Sequence, residues 1–223
     1  GAATENLGFR RQLYVYLQAD DCARYMKQPA YTTSVEALRK MMGGVMRWNL
    51  WLFLVRRSLY VENDIRFTEG LNMGEDMMVM MKLFICAGKV GIVHRPFYHY
   101  RQSNPESLTK IYSQEHIIQV ANNVYEVEKY VNASAYADSL IEFIPFLKLN
   151  IKLPLLITDD KSHYEQWLEC FPEANCYVMN NKLLPLRTRI IQWMAVKRYF
   201  ILLRLYYRTV FKPVSYTHLT LPT

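Results

Sequence analysis

Cysteine, glycine and proline are all scarce, at 4, 8 and 9 of 223 residues. The cysteines are Cys22, Cys86, Cys170 and Cys176, and no two form a C-x-x-C pair. Neither a disulfide framework nor a structural zinc module is therefore expected, and the four read as reduced thiols of a cytoplasmic protein. So little glycine and proline also excludes collagen-like and mucin-like chains. Long apolar runs are missing too. The best candidate, Trp48 to Val55, spans eight residues and is closed by Arg56-Arg57, whereas a bilayer-crossing helix needs about 20. No signal peptide is expected.

Acid is absent from one place in particular. Residues 183–212 carry seven basic side chains (Arg187, Arg189, Lys197, Arg198, Arg204, Arg208, Lys212) and no Asp or Glu. The remainder balances at 20 basic and 20 acidic residues, so the whole net charge of +7 lies in this segment. That points to a local surface meeting something anionic, not to a protein basic throughout. What the chain does have is apolar material: 51% hydrophobic and 14% aromatic. This is enough for a core in one or two domains, and it rules out wholesale disorder.

Both ends have an artificial look. The sequence starts at Gly1 in a segment that reads as mid-domain. Residues 214–223 show no core periodicity and can be encoded by GTC TCT TAT ACA CAT CTG ACG CTG CCG ACG. That string resembles a translated sequencing adapter, so 213–223 is expected to be a non-native tail and the chain a piece of a longer reading frame.

Along the chain, Leu13 to Leu17 is rich in β-formers and is expected to be a strand. Thr33-Ser34-Val35-Glu36 has capping-box spacing and opens a helix to about Met42, stopped by Gly43-Gly44. Arg47 to Tyr60 is apolar and aromatic, and a buried helix or strand is expected there. Glu75-Asp76 opens a helix over 77–87, with Met77, Met80, Met81 and Phe84 on one buried stripe and Gly88 closing it. Lys89 to Val93 and Pro96 to Arg101 read as extended, with a turn at Asn104 to Ser107. Helices follow at 113–131, 135–152 and 160–171, the last broken by Pro172, and a final helix runs from about Pro185 to Lys212.

The strongest local pattern is Gly70-Leu71-Asn72-Met73-Gly74-Glu75-Asp76. Two acids in a first helical turn have a structural explanation, since carboxylates there favour the macrodipole and satisfy free N–H groups. They also have a functional one, in which a glycine-flanked loop presents a carboxylate as general base. Spacing does not separate the two.

Taken in order, Trp48-Asn49, Arg56-Arg57, Ile65 to Asp76 and Tyr98-His99-Tyr100-Arg101 on to Thr109 resemble a bacterial family 2 glycosyltransferase. The likeness is to the C-terminal half of the type that builds cell-surface polysaccharides, and Phe171 to Asn175 fits the helical tails of such proteins. The resemblance implies an α/β fold: a partial GT-A (Rossmann-like) domain over 1–110, lacking its N-terminal half, then a mostly helical region over 111–212. It implies inverting transfer from a nucleotide-sugar donor to a glycan or lipid-linked acceptor, with Asp76 as the base and Glu75 beside it. Trp48 would stack on the acceptor and Asn49 hydrogen-bond it, while His99 and Arg101 would contact substrate. Mg²⁺ or Mn²⁺ would serve the donor diphosphate in the parent enzyme, but its D-x-D motif is absent here. Asp20-Asp21 lacks the spacing and reads as a polar loop, so the fragment itself is expected to be inactive. For Trp48, His99, Arg101 and Arg56-Arg57, plain structural roles in core, strand or solvated boundary stand as alternatives.

In the last helix Lys197, Arg204, Arg208 and Lys212 share one face, with Trp193, Phe200, Tyr207 and Phe211 on another. Such a helix suits an anionic bilayer surface, peripheral on the inner face of the cytoplasmic membrane. A helix that simply packs and ends the domain is the plainer alternative. Nucleic acid is not expected as a partner, because no recognised motif accompanies the charge. From another functional class, the rival reading is a non-catalytic membrane-surface module in which Glu75-Asp76 only caps a helix.

Overall fold

The computed structural model describes residues 31–91 and 114–211. Strand β1 (Tyr31–Thr33) leads into helix α1 (Ser34–Met42), a 3₁₀ turn at Leu50–Leu52, α2 (Arg57–Glu62), α3 (Glu75–Cys86) and strand β2 (Lys89–Gly91). Then come α4 (Gln114–Asn132), α5 (Ala137–Leu140), α6 (Ile144–Lys152), α7 (Lys161–Glu169), α8 (Leu186–Val196) and α9 (Phe200–Tyr206), with 3₁₀ turns at Ile141–Phe143, Leu153–Leu156 and Pro172–Tyr177.

The expected α/β, Rossmann-like architecture is overturned. The chain is mostly helical, and among the described residues the only sheet is the antiparallel pair β1–β2, in register Tyr31↔Gly91, Thr32↔Val90 and Thr33↔Lys89. The reason lies in what covers α3. A crossover helix in a doubly wound fold lays one stripe on a parallel sheet. Here Met77, Met78, Val79, Met80, Met81, Leu83 and Phe84 are all buried, so α3 is apolar nearly all round rather than on the single expected stripe. Its cover comes from α1, α2, α4 and the Leu50–Leu52 turn. One apolar core continues from Ala37 to Leu203.

The Arg47–Tyr60 segment also departs from expectation. It is neither one helix nor one strand, but a 3₁₀ turn, an extended stretch and the start of α2, with no fully buried residue in either the turn or the helix. By contrast α1 follows its sequence signal: the Thr33 hydroxyl accepts from the Glu36 amide at 3.2 Å. Glu36 does not complete the box; its carboxylate turns to the Thr32 hydroxyl (2.9 Å) and to Lys40 (3.3 Å). Helix α3 stops one residue earlier than expected, with Ala87 at its C-cap. The stretch expected as one helix over 135–152 divides into α5, a 3₁₀ turn and α6. Leu13 to Leu17, the Pro96–Arg101 segment, the Asn104–Ser107 turn and the 213–223 tail lie outside the described residues.

Polar groups tie the packed helices together. The Gly43-Gly44 turn after α1 is clasped by Asn150, which donates to the Met42 carbonyl, and by Asn181, which donates to the Gly43 carbonyl at 3.0 Å. Gly44 sits at φ +82, and a Cβ there would come within 2.7 Å of the Asn150 carboxamide. Lys152, 2% exposed, donates to the carbonyls of Trp167 (3.0 Å), Cys170 (2.6 Å) and Phe171 (3.4 Å) and to Asn175 Oδ1 (2.6 Å). The three backbone acceptors are carbonyls left without helical partners at and just past the end of α7, where Phe171 at φ +49 and Pro172 stop the helix. Burial pushes the Lys152 ammonium down to about 8 from its ordinary 10.5.

Between those two values the unfolded chain holds the Lys152 proton while the native state gives it up. Stability from this group should therefore rise with pH across that window, from about 8 to 10.5. Denaturant unfolding at several alkaline pH values should show the rise in the native sequence and its loss in Lys152→Met.

Candidate functional site

The glycine-flanked loop is held from outside. Gly70 and Gly74 both adopt left-handed backbone, at φ +78 and +80, which side chains other than glycine disfavour. At Gly74 a Cβ would meet α4 in ordinary contact, 3.5 Å from Val120 Cα, so the left-handed backbone alone is what calls for glycine. Helix α4 grips the loop at two points. Gln119 Oε1 accepts from the Asn72 amide at 3.0 Å, and Asn123 Nδ2 donates to the Met73 carbonyl at 2.8 Å. Asn123 is fully buried and its Oδ1 has no partner. Gln119 is in turn steadied by Glu115 at 3.2 Å. Gly74 then serves as the N-cap of α3 without a side-chain bond of its own.

Glu75 and Asp76, the expected acceptor-side residue and base, occupy the first turn of α3 and are half-buried. Asp76 does not cap its own helix. Its Oδ2 accepts from the Leu50 amide at 3.1 Å, across 26 residues of sequence. That bond brings Gly-Glu-Asp against the segment bearing Trp48 and Asn49, because Leu50 follows them directly and Asn49 starts the 3₁₀ turn. Trp48 is half-buried and packs on the core, as do Leu50 and Phe53. Burial raises the Glu75 carboxyl above the usual carboxylate range; its own backbone N–H opposes that and the Asp76 charge adds to it. Tyr60 is likewise raised, first by burial and then by Asp76. The result is two adjacent carboxyl groups, that of Glu75 raised by burial, with a phenol close enough to feel the Asp76 charge. Such an arrangement can take a proton from a hydroxyl brought to it.

The other expected residues fall elsewhere. His99 and Arg101 lie outside the described residues, as does Lys212. Arg56 and Arg57 are exposed at the start of α2, in keeping with a solvated boundary. The expected single helix over 185–212 is broken. Lys197 is the C-cap of α8, Arg198 takes φ +58, and the amides of Arg198 and Tyr199 donate to Ala195 (2.9 Å) and Met194 (2.9 Å). This is a Schellman-type ending with arginine where glycine is usual. Lys197 is therefore cut off from Arg204 and Arg208, which lie beyond the break, and Arg208 pairs with Asp159 at 3.2 Å. A groove of about 310 Å³ opens here, lined by Lys161, Tyr164, Arg198, Phe200, Ile201 and Arg204, well away in sequence from Glu75 and Asp76.

No group of three or more His, Cys, Asp or Glu side chains among the described residues converges on a metal position. Glu75 and Asp76 alone do not make a donor set for Mg²⁺ or Mn²⁺. Comparison with family models, curated proteins and solved structures returns no match for this chain.

Gln119 and Asn123 are the residues that sequence reading overlooks. Their signal was present: a carboxamide pair at i, i+4 beside the valines Val120, Val124 and Val127 on an otherwise apolar helical face. In the Asp76 variants the amide of Asn keeps an acceptor for Leu50 while Ala has none. Asp76→Ala should lose about 1–2 kcal/mol of stability and Asp76→Asn well under that. Thermal or denaturant melts of the two side by side check the difference.

Proposed function

We propose that this chain is the acceptor-handling part of an inverting glycosyltransferase in cell-surface polysaccharide synthesis, with Asp76 as the general base. The observation that carries the reading is the Asp76–Leu50 hydrogen bond at 3.1 Å. It joins the Trp48-Asn49 motif to the Gly-Glu-Asp motif, two pieces whose order in the sequence resembles that of family 2 glycosyltransferases. A saccharide or lipid-linked acceptor would lie against Trp48 and Asn49 with one hydroxyl at Asp76. The carboxylate takes the hydroxyl proton as the oxygen attacks the anomeric carbon, and the bond to the nucleoside diphosphate breaks on the opposite side. An α-linked donor then yields a β-glycoside. Glu75, whose carboxyl burial raises above its ordinary value, is suited to hydrogen-bond a neighbouring acceptor hydroxyl. In the parent enzyme Mg²⁺ or Mn²⁺ would balance the donor diphosphate. The reaction belongs on the inner face of the cytoplasmic membrane, where nucleotide-sugars are made; among the described residues no helix is long and apolar enough to cross a membrane.

One observation favours a second reading. The same Asp76 bond gives the carboxylate a purely architectural task, as it would have in a non-catalytic membrane-surface module.

Turnover separates the two. In an extended reading frame that transfers sugar, Asp76→Asn should lower kcat at least about 10²-fold, the low end of what a positioned base contributes, with an unchanged melting profile. Residues 1–223 alone should transfer none. Retained kcat in a folded Asp76→Asn enzyme would assign the carboxylate to architecture.

A further inference from the structure

The break at Lys197–Tyr199 changes which side chains the C-terminal helices offer to solvent. On α8, Leu186, Ile190 and Trp193 are exposed and recur at i, i+4 and i+7, opposite the buried Ala195. On α9, Leu203 is buried while Ile201, Leu202 and Leu205 are exposed, Ile201 to 84%. Phe200, expected on an outward aromatic face, instead packs on the Tyr164 ring at 5.5 Å. On α9 the exposed apolar residues are therefore aliphatic and project away from the core.

Cations border them. Arg204 lies next to Leu205 in the chain, and the groove beside Ile201 is lined by Lys161, Arg198 and Arg204. Three acids sit close by: Glu165 pairs with Arg198 at 2.9 Å, Asp159 pairs with Arg208 at 3.2 Å, and Arg204 acts on the Asp160 carboxyl, which is held below its usual range mainly by the Ser162 amide and hydroxyl. The described segment 183–211, which includes α8 and α9, itself carries six cations and no acid.

We propose that α8 and α9 form a docking face for an anionic phospholipid surface, with Ile201, Leu202 and Leu205 entering the acyl boundary and lipid phosphates meeting Lys161, Arg198 and Arg204. Charge selects this occupant. A second copy docked by the same face would set cations against cations. Nucleic acid would use the cations but give the exposed aliphatic side chains nothing to bury against. A membrane takes both at once, since aliphatic insertion and attraction to anionic headgroups add together. The face is independent of Asp76 and of any sugar transfer.

The test is co-sedimentation of the full chain with vesicles of phosphatidylglycerol and phosphatidylcholine, against vesicles of phosphatidylcholine alone. Pelleting is expected with the anionic vesicles only, falling in high salt. The double change Ile201→Asp, Leu205→Asp should weaken it at least about tenfold, and Arg204→Glu should weaken it as well, with melting profiles like that of the native sequence because all three side chains lie on the surface. Millimolar inorganic phosphate should not compete. The proposal is overturned by equal binding to both vesicle types, by none, by full binding of the double variant, or by release with free phosphate. It is overturned equally if an oligonucleotide displaces the vesicles, or if the double variant splits a dimer that never bound lipid.

Discussion

The carboxamide of Asn123, fully buried on α4, donates to the Met73 carbonyl, and where α3 begins depends on that bond. Met73 precedes Gly74, whose left-handed backbone turns the chain into the helix. Once the turn is fixed, Asp76 faces the Leu50 amide and the Leu50–Leu52 turn is fixed with it. The seven buried side chains of α3 then have only one way to point. A helix that is apolar nearly all round carries little rotational information of its own, because any face can be buried. Polar contacts at its N-terminus supply what the methionines, which adapt to almost any gap, do not.

The same logic recurs lower in the molecule. Asn150 and Asn181 close on the Gly43-Gly44 turn, Lys152 gathers the carbonyls at the end of α7, and Lys148 bridges Glu128 (2.8 Å) and Glu173 (3.0 Å). Burial works against the Lys148 charge, yet the two glutamates outweigh it and hold its pKa above the ordinary lysine value. Buried ion pairs add little net stability, but removing one partner is costly. Each of these groups therefore penalises any packing that leaves its partners unpaired, which lets short helices joined by 3₁₀ turns settle in one arrangement.

Local signals in the sequence proved informative where the physics is local. Thr33 three residues before Glu36, and Pro172 ending α7, act within a turn or two. The expected α/β class failed because it rested on resemblance and on β-forming residues, whereas the cover of α3 is set by contacts distant in sequence. The broken C-terminal helix failed for a different reason: neither Gly nor Pro marks the break, and Arg198 takes the left-handed position itself. Of the candidate site, Glu75 and Asp76 at a helix start were legible from spacing. The Leu50 amide was not, because a backbone partner leaves no trace in residue identity. Gln119 and Asn123 were visible only as two polar residues on an apolar face.

What distinguishes a sugar-handling site from a well-made helix start is whether a saccharide touches it. The direct measurement is a ¹H–¹⁵N titration of the full chain with a panel of simple alkyl glycosides, following the Leu50 amide and the Trp48 indole. If the Trp48–Asn49 segment and Asp76 receive an acceptor, both signals should shift together and saturably with at least one glycoside, and Asp76→Asn should alter the Leu50 response. If neither signal moves while the protein remains folded, or if the shifts fall only on distant surfaces, Glu75 and Asp76 serve the fold and not an acceptor sugar.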